Sequence, residues 1–90
     1  MPSVGAEGAV TKQYACVAIA DFYAMTNEVA ENDGQGIMKM LLDHQIFQLQ
    51  DGDEVKVTGY DQNQKAWGIH VLSGQHAGED GWVADSLTLH

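Results

Sequence analysis

Four histidines, one cysteine and thirteen carboxylates are the residues of this 90-residue chain with which chemistry could be done. Imidazole and carboxylate together suit zinc and similar ions, and His76-Ala-Gly-Glu79-Asp80 places both types in one loop. His44, His70 and His90 complete the set, but their spacing matches no established ligand pattern. His70 falls opposite Ile69 in an alternating run and so points to water, and His90 is terminal. The reading is no metal and no cofactor. Asp51-Gly-Asp-Glu54 carries carboxylates around a glycine as calcium loops do, yet it lacks the twelve-residue frame and the downstream bidentate glutamate that enclose the ion. A hairpin turn is the better reading.

Nucleophilic catalysis needs a cysteine or serine exposed beside a histidine and an orienting group. Cys16 sits among Ala15, Val17 and Ala18, the setting of a small apolar residue packed in a strand. Ser73 and Ser86 stand in turns without a nucleophile elbow around them. Paired carboxylates for hydrolysis would need a concavity, and a domain of this size offers little. The expectation is therefore no enzyme and no catalytic residue. The lone cysteine forbids an internal disulfide, and one thiol fits a reducing or an oxidising compartment equally, so the localisation is left open.

Charge narrows the partners. Thirteen acidic residues against four lysines and no arginine give a formal net charge of −9, which repels phosphate backbones and anionic membranes. Nucleic acid is excluded on that ground, and the missing arginines disfavour acidic ligands. The carboxylates serve solubility, or they steer a basic partner. No run approaches the ~18 apolar residues of a membrane span, and the first twelve residues lack a charged-then-apolar signal.

The elements that would position these groups follow from periodicity. Pro2, Ser3, Gly5 and Gly8 leave no period, so residues 1–9 read as a flexible tail and residues 10–90 as one domain. Residues 10–19, β-branched and aromatic, predict a first strand. Asp21 then caps a helix whose apolar face is Phe22, Met25 and Val29, stopping at Asn32-Asp33-Gly34. A second helix carries Ile37, Met40 and Leu41 inward and ends near His44, which places a helical insertion at about residues 20–44. The period then falls to two. Phe47 and Leu49 form a strand, Asp51-Gly52 turns the chain, and Val55, Val57 and Tyr60 form the next. Trp67, Ile69 and Val71, then Trp82 and Val83, supply the remaining strands, with Phe47, Val55, Val57, Trp67, Ile69, Val71 and Val83 as the expected core.

Tyr14-Ala-Cys-Val, the paired helices, Phe47-Gln-Leu-Gln-Asp-Gly-Asp-Glu-Val-Lys-Val and Ile69-His-Val-Leu-Ser-Gly-Gln-His-Ala-Gly-Glu-Asp-Gly-Trp-Val together resemble bacterial SH3-like (Src-homology-3-like) domains. The resemblance covers residues 10–89. It implies a mainly β fold, a small barrel of about five strands, with two short helices inserted after the first strand. It also implies a non-catalytic domain. Eukaryotic SH3 domains hold proline-rich peptides against aromatic rings, but here the turn after Gly81-Trp-Val reads Ala84-Asp-Ser-Leu87, without that groove's proline and tyrosine. A different aromatic patch, from Tyr14, Tyr60, Trp67 and Trp82 at one barrel end, is left as a candidate.

The helical insertion carries the strongest functional expectation. Met38 and Leu42 lie off the inward stripe, and an exposed methionine-containing apolar patch is the usual sign of a partner or of self-association. The expected interaction surface is Met38, Leu42, Tyr60, Trp67 and Trp82, on a protein-interaction module whose partner is an unknown protein or a second copy. The alternative is a small acidic inhibitor or immunity-type protein that occupies a basic partner.

Overall fold

The computed structural model describes residues 3–90. They form six strands, β1 (Glu7–Ala9), β2 (Gln13–Cys16), β3 (Ile46–Leu49), β4 (Glu54–Asp61), β5 (Ala66–Val71) and β6 (Asp80–Ala84). A 3-10 turn (Ile19–Asp21) and two helices, α1 (Phe22–Ala30) and α2 (Gly34–Leu42), separate β2 from β3. The fold is mainly sheet with two short helices inserted between strands, as the periodicity required. Every strand pairing is antiparallel, in the order β1-β4-β5-β6-β2-β3.

That order corrects one expectation and explains the shape. The Asp51-Gly52 turn does not close a hairpin, because β3 pairs with β2 while β4 pairs with β1 and β5. In a flat sheet β3 and β4 would lie four strand spacings apart, about 19 Å, but the residues that join them, 50–53, reach at most ~17 Å. The sheet must curl. The segment between β1 and β2 fastens the curl: Val10 N–H donates to Asp53 O at 2.9 Å, and Gly52 N–H donates to Val10 O at 2.9 Å. Glu7–Ala9 therefore belongs to the sheet and not to a tail, since the curled edge of β4 offers it a ladder. The rest of the expected tail outside the described residues is Met1 and Pro2.

Curling leaves an inner face that must be dry. Leu49, Val55, Val57, Ile69, Val71 and Val83 fill it and are fully buried, with Phe47 and Trp67 beside them. Each such side chain removed from water is worth about 1.5–3 kcal/mol. Space is tight on the inner face of β6, since a side chain on Gly81 would start 2.9 Å from the Phe47 ring. The outer face splits in two. On β4 the residues between the buried valines, Glu54, Lys56 and Thr58, meet water. Over β2, β3, β5 and β6 the outer face is apolar and the helices cover it, with Cys16, Phe22, Met25, Met40, Ile46 and Ala66 forming a second cluster. Strand β5 is thus buried on both faces from Ala66 to Ile69.

Helices this short are not stable alone and persist by docking. Both end in a Schellman motif. After α1, Asn32 N–H donates to Val29 O and Asp33 N–H to Glu28 O, with Asn32 at φ 56°. After α2, His44 N–H donates to Leu41 O and Gln45 N–H to Met40 O, with His44 at φ 59°. At the N-termini the roles differ from expectation. Asp21 occupies the cap of α1 without a side-chain cap bond, since a 3-10 turn leads directly into the helix, whereas Asp33 caps α2 by accepting from Gly36 N–H at 3.0 Å.

Candidate functional site

The residues singled out for chemistry go to separate places, mostly to structural work. His44 terminates α2. His70 Nδ1 meets Asp80 Oδ1 at 2.7 Å across β5 and β6. His76 Nδ1 meets the Glu79 carboxylate within their loop, and its ring lies 4.9 Å from that of Phe47. His90 exchanges both backbone hydrogen bonds with Ala9. The carboxylates around Gly52 serve the turn: Asp51 Oδ1 accepts from Lys12 N–H at 2.6 Å, and the buried Asp53 accepts from Gln50 N–H at 2.9 Å. Ser73 Oγ accepts from Glu54 N–H at 3.0 Å. Cys16 is fully buried, and its thiol donates to Ala18 O at 2.8 Å. Burial is the largest influence pushing that thiol up to about 11, so at neutral pH it is held in the protonated form, packed as an apolar group.

The expected aromatic patch does not assemble. Trp67 is buried at 6% exposure and belongs to the inner core, with half-buried Tyr60 packed on it at 4.5 Å between ring centroids. Trp82 and Tyr14 are half-buried on the opposite face, against the helices. The pleat separates them: Trp67 pairs with Val83, so its neighbour on the strand, Trp82, points the other way. Met38 and Leu42 lie 55% and 71% exposed on the outside of α2, while Ile37, Met40 and Leu41 pack inward.

What the sequence reading missed is a groove. Val29, expected inside, is 46% exposed, and with Met25 and Ala30 it forms one wall of a depression of about 550 Å³ between α1 and the outer face of β2 and β6. Tyr14 and Ala84 line the opposite side. Lys12 is its one charged lining residue, and Gln48 lines it too. Gln48 also lines a second, smaller depression of about 230 Å³ beside β3, where Val17, Leu41 and Phe47 supply apolar surface and Glu79 a carboxylate. The available signal was the alternation of Tyr14 with Cys16 in β2, which marks an outer face too apolar for water.

Among the described residues no helix is long and apolar enough to cross a membrane. The site consists of one apolar groove and a smaller depression of mixed polar and apolar lining, which share Gln48. No family model, no curated protein and no solved structure matches this chain. The class that fold and site define is a small, curled antiparallel sheet with a helical cap.

Proposed function

We propose that this protein is a non-catalytic protein-interaction module built on an SH3-like barrel with a helical insertion. The observation that carries the reading is the 550 Å³ apolar groove between α1 and the sheet. Apolar surface left open at Val29 in the groove, and at Met38 and Leu42 on α2, has a cost in water that a partner's side chains remove. The chemistry-bearing residues support the same reading, because their polar atoms are engaged in turns, caps and ladders. The interaction face is drawn around Val29, Met38 and Leu42, with Trp67 assigned to the core.

A second reading is favoured by the net charge of −9, that of an acidic inhibitor or immunity-type protein seated on a basic partner. Site-specific photo-cross-linking in the expressing cell separates the two. A photoreactive residue is placed at Val29, at Leu42 and, as a control, at Lys65 in the turn between β4 and β5. Adducts at positions 29 and 42 that persist in high salt, with none at 65, support the module. Adducts that vanish in salt and form equally at 65 favour the inhibitor, and no adduct at 29 or 42 overturns the module.

A further inference from the structure

Resting on the interaction-module reading, we infer that the occupant of this site is an extended basic segment of a partner protein, which adds one strand-like hydrogen-bonded pair to β3 at Gln48. The ladder decides which backbone groups are available. Val17 N–H donates to Gln45 O at 2.9 Å, and the antiparallel alternation from that pair turns Phe47 and Leu49 toward β2. Ile46 and Gln48 accordingly direct their backbone groups to the open edge of the sheet. Ile46 is buried, whereas Gln48 is half-buried and lines both depressions. The two sheet edges are treated differently. At β1, Ala9 already exchanges its outward bonds with His90, while among the described residues no loop or turn backbone group bonds Gln48.

Pleat geometry assigns the side chains of an added strand. The residue opposite Gln48 shares its face and lies over the larger groove, and its two neighbours point to the other face of the sheet. An apolar residue opposite Gln48 matches the lining of that groove.

Charge decides between a partner and a second copy. Strand β3 is uncharged and exposed Asp43 and Asp51 flank it, while Lys12, whose backbone N–H bonds Asp51, is the one charged residue lining the larger groove, and Glu79 at the smaller depression is engaged by His76. An antiparallel pairing of two β3 strands centred on Phe47 would oppose Asp43 of one copy with Asp51 of the other at both ends. It would also bring two charges of −9 together. Flanking carboxylates that repel a second copy attract lysine or arginine on either side of an apolar segment.

The test uses the full chain to select from random linear peptides displayed on phage, then scans the best binder with single backbone N-methyl groups. Methylation should weaken binding about tenfold at the residue facing Gln48 and leave both adjacent positions nearly unchanged, because one outward donor and acceptor pair is at stake. Gln48→Pro removes the outward N–H at a position the β2 ladder does not use, and should lose binding about tenfold with Gln48→Ala retaining it. Asp43→Asn should weaken binding severalfold in low salt and flatten its salt dependence. If Gln48→Pro fails to fold, the N-methyl scan still decides. Selection of no peptide, selection of acidic or uncharged peptides, or a methylation scan without a single sensitive edge position overturns the proposal. So does a concentration-dependent dimer that Gln48→Pro abolishes, which would make the occupant a second copy. None of these results bears on cross-linking at positions 29 and 42, which tests the module independently.

Discussion

Cys16 gives the sharpest measurement of whether this chain contains chemistry or packing. Its side chain has no exposed surface and its thiol donates to Ala18 O. Burial raises its pKa from 9.0 to about 11, with the charge of Asp21 adding to the rise and backbone hydrogen bonds opposing it. At pH 8 a thiol of pKa 9 is about one-tenth thiolate and one of pKa 11 about one-thousandth, so acidity alone should slow labelling about a hundredfold. Burial adds a further delay, because the reagent must wait for the structure to open. A chromogenic disulfide reagent, applied at pH 8 to native and to guanidinium-unfolded protein, reads the ratio directly. The same shift predicts a stability change. Above pH 9 the unfolded chain releases the thiol proton while the folded chain keeps it, so the unfolded state binds fewer protons and stability falls. The loss should be absent below pH 9 and approach about 3 kcal/mol at most as the pH passes 11. Urea unfolding of the parent and of Cys16→Ala across that window isolates it, since tyrosine and lysine titrations are common to both. Native labelling as fast as unfolded labelling, or stability curves that run parallel above pH 9, would refute the packed-thiol argument and return Cys16 to the list of nucleophiles.

Three further outcomes test the architecture. Leu49→Ala, in the fully buried inner face, should cost about 2–5 kcal/mol in urea unfolding, and a loss under about 1 kcal/mol would mean the curled sheet is not packed. Gly74→Ala should cost about 1–3 kcal/mol, because Gly74 has φ 90° and an added Cβ would lie against the Asp53 carboxylate that holds the turn joining β3 to β4. An unchanged unfolding midpoint would show that this turn does not depend on Asp53. Met38→Glu with Leu42→Glu should shift stability by no more than about 0.5 kcal/mol, since both side chains lie in solvent. A large loss would make them core and remove them from the interaction face.

Much of the fold was legible in residue order because periodicity is a local property. Alternation in Val55 and Val57 and in Ile69 and Val71 marked their buried faces, and the 3.6-residue stripe of Met40, Ile37 and Leu41 marked the inward side of α2, independently of what they would pack against. Asn32-Asp33-Gly34 announced the break between the helices, because an asparagine tolerates the left-handed backbone that ends α1 and an aspartate accepts from the Gly36 amide in the first turn of α2.

Pairing was not legible, because it depends on residues far apart in the chain. The same local pattern from Phe47 to Val57 serves a hairpin or a crossing between strands at opposite sides of the sheet, and only the competing ladders of β2 with β3 and of β1 and β5 with β4 chose the crossing. From that choice came the strand in the expected tail, the curl, and the burial of Trp67 on the face opposite Trp82. The groove was decided at the same level. Val29 carries the helical spacing of a core residue, but α1 docks by Phe22 and Met25, and the gap between its last turn and Tyr14 is a property of two surfaces meeting at an angle, which no single segment encodes.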